Sequence, residues 1–243
     1  MTPARTLLVL AADPADAAGI EALAADARPS VPWNVIRGAD TATDEAIRRA
    51  DLVIDLNGAD LNGAGAGGKT LRPAPDLAPP RLFRPLPEAP GRTLERILVA
   101  VEPGGTLTAD AVVALAGGLA RRAAVTLGTR SAATFLAWPA LDGIAVRAAA
   151  GDDAWLDLMA QHDLVVTADA ETAVLANALL KPAVLLGGAA PLPFVFSAEV
   201  VTLDEVVAGL NLAGIMPDLI NWKRAQRAEW LAALDAALKA QGL

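Results

Sequence analysis

The sequence predicts an α/β protein of two parallel-sheet units, the first small and the second larger, followed by a C-terminal amphipathic helix. The stretch from Asp163-Leu-Val-Val-Thr167 through Asp169 to Lys181-Pro182-Ala-Val-Leu-Leu-Gly187 reads as strand, turn, helix and strand, with charged or turn-forming residues only at its joints. Short apolar runs rich in β-branched residues suit strands covered on both faces, as in a parallel sheet. Such runs alternate with helical stretches twice along the chain, which implies parallel strands joined by right-handed crossovers. Hydrophobic residues make up 54% of the 243 residues and charged ones 20%, a balance that Ala-rich helices on short Val/Leu strands explain.

Residues 5–12 read as the first strand. A basic start before an apolar run also has the outline of a signal peptide, but Asp13 and Asp16 follow at once, and a strand explains the run. Asp13-Pro14 opens a helix ending near Arg28-Pro29; residues 33–37, 43–50 and 51–56 follow as strand, helix and strand. Residues 57–92 are different. They carry Gly58, Gly63, Gly65, Gly67 and Gly68, then Pro73, Pro75, Pro79, Pro80, Pro85, Pro87 and Pro90, without helix or strand periodicity. The first half reads as a Gly-rich loop and the second as a stiff connector.

The second unit starts at Arg96 with a strand over 97–101, the turn Glu102-Pro-Gly104-Gly105-Thr106 and a helix over 108–122 ending in Arg121-Arg122. A strand over 124–127, a helix over 131–138, a strand over 143–147 and a helix over 152–161, capped by Asp152 or Asp153, lead into residues 163–187. Residues 200–203 read as a strand and 203–212 as a helix. Residues 218–243 form one helix with Leu219, Trp222, Trp230, Leu234 and Leu238 on a stripe, which packs across the first unit or onto a partner. The expected domains are residues 1–69, a linker over 70–95, residues 96–215 and a helix over 216–243.

The net charge of −8 argues against a general nucleic-acid binder, whose phosphate contacts need clustered Lys and Arg. No apolar run approaches the ~18 residues that cross a bilayer, so no transmembrane segment and a cytoplasmic location are expected. There is no cysteine and no tyrosine, and His162 is the single histidine. Disulfides, thiolate zinc sites and cysteine nucleophiles are excluded; no metal site and no cofactor are expected. Acid–base candidates reduce to Asp, Glu, Lys and His162.

Strand-to-helix turns at the carboxyl edge of a parallel sheet are where α/β proteins hold phosphate-bearing ligands, because helix N-terminal amides point there. Asp169, Ala170, Glu171 and Thr172 form one such turn. Capping explains both carboxylates, which would repel an anion, so Asp169 is read as a contact to ligand hydroxyls. Glu102, Gly104, Gly105 and Thr106 form the second, where glycine lets backbone approach a ligand and Thr106 or Thr108 caps the helix. Asp13 and Asp16 are helix-start residues and candidate general bases. His162 lies at a helix end, where it caps carbonyls. Gly63-Ala-Gly-Ala-Gly-Gly68-Lys69-Thr70 fits a phosphate-loop consensus in letters, but Pro73 and Pro75 follow too soon for the helix such a loop must open.

Residues 95–215 resemble the C-terminal half of GT-B glycosyltransferases, in particular the ADP-heptose:lipopolysaccharide heptosyltransferase family. The match runs through Asp163-Leu-Val-Val-Thr167, Asp169, Leu175-Ala176, Ala178-Leu179, Lys181-Pro182, Leu185 and Gly187, with Val201-Thr-Leu-Asp-Glu-Val206 as the next element and Glu102-Pro-Gly-Gly105 in place of the family's His-Pro-Gly turn. The family's Thr-Gly-x-x-His is here Ala170, Glu171, Thr172, Ala173 and Val174. The resemblance implies two Rossmann-like units with a shortened first unit, and a nucleotide-sugar in a cleft against Glu102–Thr106 and Asp169–Thr172. A carboxylate, Asp13 or Asp16, would take the acceptor proton in hexosyl or heptosyl transfer. The replaced Gly and His also allow a bacterial protein whose activity is lost. Two other readings stand beside it: a non-catalytic scaffold or subunit, partnered by another protein or a second copy through the C-terminal helix, and a nucleotide-binding α/β protein served by Gly63–Thr70.

Overall fold

The computed structural model describes residues 4–12, 14–38, 44–58, 61, 69–73, 77–83, 93–101, 107–131 and 142–242. They divide into two compact units, Met1–Pro85 with Trp222–Leu243, and Leu86–Asn221. Both are parallel sheets with helices, so the structure is α/β throughout.

The first unit runs β1 (Arg5–Leu10), α1 (Pro14–Ala27), β2 (Trp33–Gly38), α2 (Asp44–Arg49), β3 (Leu52–Asp55) and β4 (Thr70–Leu71), with a 3-10 turn over Pro80–Phe83. Its sheet order is β2-β1-β3-β4, parallel at each pairing. Leu8, Leu10 and Val53 pack against Ile47 and Ala50 on one face. Gly19 of α1 lets the 3-10 turn approach its backbone: a Cβ there would lie 2.1 Å from the Pro80 carbonyl oxygen. Residues 70–83 thus belong to the first unit, where the sequence placed a linker beginning at residue 70.

The second unit contains β5 (Arg96–Ala100), α3 (Ala109–Leu119), β6 (Ala124–Thr129), β7 (Ala145–Ala148), α4 (Asp152–Ala160), β8 (Leu164–Thr167), α5 (Ala170–Ala178), β9 (Ala183–Leu186), β10 (Val195–Ala198) and α6 (Leu203–Gly209). Its sheet order is β10-β9-β8-β5-β6-β7. Alternate residues of β5 face opposite sides: Ile97 and Val99 join the cluster with α3 and α6, and Leu98 and Ala100 the cluster with α4 and α5. Burial on both faces is what the unbroken apolar runs of β5, β8 and β9 reflect. Asp163 fixes the starts of β5 and β8 by accepting the Glu95 and Arg96 N–H groups at 3.0 and 2.8 Å.

The last strand is Val195–Ala198 rather than residues 200–203; Val201 is 88% exposed. Helix α4 is capped by Gly151 at φ +88°, not by Asp152 or Asp153. Helix α5 ends at Ala178, before Lys181-Pro182: Leu180 turns the chain at φ +55°, and the Asn177 side chain donates to the Lys181 and Phe194 carbonyls.

The C-terminal helix α7 (Leu212–Ala240) begins before the residue 216 or 218 read from sequence and carries Pro217 inside it. Within the first unit, its Trp230 indole N–H donates to the Ala78 carbonyl at 2.8 Å, the Gln226 side chain accepts the Ala78 N–H, and Arg227–Asp26 and Arg28–Asp235 pair. Leu219, Trp230, Leu234 and Leu238 are buried. Trp230, Leu234 and Leu238 of the expected stripe are therefore consumed by the chain's own fold. Among the described residues, no helix is long and apolar enough to cross a membrane.

Candidate ligand site at a sheet edge

In the second unit, β5 is the first strand, its next strand β6 lies on one side, and β8 lies on the other. Chain order therefore reverses between β5 and β8. In open α/β sheets, a crevice opens outside the carboxyl ends of the strands at such a switch point. Ala100 and Thr167 are register partners there. The two turns singled out from the sequence are the ones that leave these two strands. One, Asp169–Thr172, is described; Glu102, Gly104, Gly105 and Thr106 lie outside the described residues, as does residues 131–138's expected helix from residue 132 on.

The strands flanking β5 end alike. Thr167 is buried and its Oγ1 accepts the Asp169 N–H at 3.0 Å; Thr129 is buried and its Oγ1 accepts the Ser131 N–H at 3.1 Å. Asp169 is the N-cap of α5, accepting the Thr172 N–H at 2.7 Å with extended backbone. Ala170 and Glu171 are exposed in the first turn, while Thr172 and Val174 are buried. Thr108 is the cap of α3, its hydroxyl accepting the Ala111 N–H at 3.2 Å.

One strand away, Arg130 leaves β6 and lies over the Trp155 ring, 5.5 Å from its centroid. Its Nη1 is 3.5 Å from the Asp152 carboxylate, which is largely in solvent. Trp155 is fully buried, and Gly128 makes room for it: a Cβ at Gly128 would meet Leu98 at 2.8 Å, Leu158 at 3.0 Å and Trp155 at 3.2 Å. Sequence reading passed over Arg130; its signal was a lone cation directly after a strand at this edge.

In the first unit, Asp16 is engaged in structure. It accepts the Arg81 N–H at 3.0 Å, and the Arg81 guanidinium lies 3.7 Å away. Asp13 lies outside the described residues. Asp55, also passed over, sits at the carboxyl end of β3 with its carboxylate buried, 3.0 Å from Arg72 Nε. Its signal was a carboxylate closing the apolar run of β3. The phosphate-loop letters do not make a phosphate loop: Thr70-Leu71 pairs with β3 as a strand, and Lys69 Nζ donates to the Arg48 and Ala50 carbonyls at the end of α2. Gly63 to Gly68 lie outside the described residues.

His162 is buried at the opposite end of β8, with Nδ1 2.8 Å from the Leu158 carbonyl. Burial lowers its pKa, as do Arg96 and Lys181 nearby, against the opposing effects of the Leu158 hydrogen bond and Asp163. That placement is a helix C-terminal cap, remote from the switch-point edge. No group of three His, Cys, Asp or Glu residues that could hold a metal ion occurs among the described residues.

No protein-family profile matches the chain, and no curated protein matches it in sequence. Solved structures do match. The glycosyltransferase SnogD from Streptomyces nogalater shares 14% identity over 97% of this chain and 99% of its own, with a TM-score of 0.54. The E. coli heptosyltransferase WaaC, solved with ADP-2-deoxy-2-fluoro heptose, shares 11% over 84% and 98%, with a TM-score of 0.52. The E. coli ADP-heptose LPS heptosyltransferase II shares 14% over 92% and 99%, with a TM-score of 0.50. The chain has a GT-B glycosyltransferase fold that resembles the heptosyltransferases.

Proposed function

We propose that this chain is a glycosyltransferase-like protein that binds a nucleotide-sugar at the carboxyl edge of the six-stranded sheet, where β5 and β8 diverge. The observation that carries the reading is the switch point itself, with the Asp169 cap and the α5 amides on its β8 side. Asp169 contacts hydroxyls of the ligand, since a carboxylate there disfavours phosphate; Glu102, Gly104, Gly105, Thr106, Ala170, Glu171 and Thr172 complete the two turns. The ligand seen in WaaC supports the choice of a nucleotide-sugar. For transfer, the proposed base is Asp13 or Asp16. Asp13 is preferred, because Arg81 already occupies the Asp16 carboxylate.

The test is thermal unfolding against a panel of nucleotide-sugars with ADP and UDP. A ligand at about 100 times its Kd stabilises by about 2.7 kcal/mol, which raises Tm by several degrees. A flat response across the panel at millimolar concentrations rejects the reading; a stable complex or oligomer in size analysis would then leave the scaffold. Where a donor binds, loss of its hydrolysis or transfer in Asp13→Asn but not in Asp16→Asn assigns the base.

A further inference from the structure

In the first unit β1 is the first strand, with β2 on one side and β3 on the other, so chain order reverses between β1 and β3 as well. Leu10 and Asp55 are register partners at the carboxyl ends of these two strands. Backbone pairing at the exit of β1 ends with Ala11, whose N–H donates to the Gly38 carbonyl at 3.2 Å, and with Leu56, whose N–H donates to the Leu10 carbonyl at 2.9 Å. Ala12 is held by a side chain instead: its N–H donates to Asn57 Oδ1 at 3.0 Å. Asn57 is placed in turn by Asp55, whose Oδ1 accepts the Asn57 N–H at 3.2 Å and whose Oδ2 lies 3.0 Å from Arg72 Nε. The Asp55 carboxylate is fully buried, and such a charge costs stability unless it is paired and hydrogen-bonded. A carboxylate kept at that cost at the end of a strand calls for a reason beyond the sheet.

We propose that Asn57 is a positioning residue for the base, fixing through Ala12 the point at which the chain that carries Asp13 leaves β1. This rests on the reading of Asp13 as the base. Asp13 follows Ala12 in sequence, so once the Ala12 amide is held, only the φ and ψ of Ala12 separate a fixed peptide from the one that Asp13 begins. The contacts run from Arg72, directly after β4, through Asp55 on β3 to Asn57 and then to Ala12 after β1. They therefore tie the exits of three neighbouring strands together, with the buried Asp55 at the centre. A base works only within hydrogen-bond reach of the proton it takes, and a misplacement of about 1 Å costs on the order of a hundredfold in rate. Side chains that hold the backbone beside a reacting group are what keeps that geometry. Asn57 does this with a neutral oxygen, which brings no second negative charge to the exit of β1.

The experiment measures release of ADP or UDP from the nucleotide-sugars of the thermal panel in wild type, Asn57→Ala, Asp13→Asn and the double variant, with melting curves as the check on folding. In Asn57→Ala, kcat falls by about ten- to a hundredfold while the donor KM stays within about twofold of wild type. In the Asp13→Asn background, Asn57→Ala lowers the residual rate by less than about twofold, because the group it positions is already gone. A merely structural role would lower the rate by the same factor in both backgrounds. If Asn57→Ala keeps the wild-type kcat, or if its loss is the same with and without Asp13, the inference falls and Asp13 remains the base. If Asp13→Asn keeps the wild-type rate, or wild type releases no nucleotide from any donor, the reading of Asp13 as base falls and takes this one with it. Should Asn57→Ala fail to fold, Asn57→Leu, which keeps the bulk and lacks the acceptor, replaces it with the same expected results.

Discussion

Asp169 and His162 bound the same stretch of sequence and act at opposite ends of it. Asp169 accepts the Thr172 N–H at 2.7 Å, and removing an N-cap carboxylate costs about 1 kcal/mol. Asp169→Ala is expected to lose that much in denaturant unfolding, while Asp169→Asn, which keeps an acceptor, loses a few tenths. His162 has its pKa lowered chiefly by burial. Below its ordinary value near 6.5, the unfolded chain binds a proton that the folded chain refuses, so stability falls as pH drops through 6.5 and stops falling at the folded-state value. The chain has one histidine, so its imidazole NMR signal reports this directly, with the folded titration midpoint below 6.5. The capping roles of both residues were legible because they depend on neighbours within four positions. Arg130 was not, because what marks it is Trp155, brought to it from another element by the sheet.

Among the helices, two glycines make opposite predictions for one substitution. In an exposed helix interior, Gly→Ala stabilises by about 0.5–1 kcal/mol, and at Gly117 of α3 an added Cβ would meet nothing within 4 Å. Gly117→Ala is expected to raise stability by that amount. At Gly19 of α1 the same Cβ would lie 2.1 Å from the Pro80 oxygen, 2.3 Å from its carbon and 2.8 Å from the Arg81 nitrogen. These are backbone atoms, so the 3-10 turn must move and strain its Asp16 and Trp230 anchors. Gly19→Ala is expected to destabilise by about 2 kcal/mol despite its helix propensity; equal shifts for both variants in parallel melts would refute the close packing. The elements were mostly legible where apolar runs are long, as in β1, β5, β8 and β9. Strand β10 was not: Val200-Val201 has the stronger β-branched signal, yet Val195–Ala198 is the segment that pairs with β9. Two-residue β4 is too short to show a period, and α7 starts at Leu212, ahead of the residue 218 read from sequence, with Pro217 inside it.

At the scale of the molecule, charge distribution makes stability depend on pH in the alkaline range as well. The chain has no tyrosine and no cysteine, and the group that sets this dependence is a buried lysine of the C-terminal helix. Lys223 on α7 is 8% exposed, and burial lowers its pKa from 10.5 to about 8. Between those values the unfolded chain holds a proton the folded chain has released, so stability rises with pH. At pH 9.5 the gain over pH 7 is about 2 kcal/mol for a shift of this size. The net charge of −8 works against it, since each lost proton adds to self-repulsion. That opposing effect is spread over a surface screened within ~10 Å at 0.1 M salt, whereas the desolvation at Lys223 is local. The balance favours a net rise in Tm from pH 7 to 9.5 at 0.15 M salt. Lys223→Met keeps the aliphatic bulk and removes the titration, so its Tm should be flat or falling over the same range. A wild-type Tm that falls in parallel with the variant's would show that Lys223 is charged at neutral pH without cost.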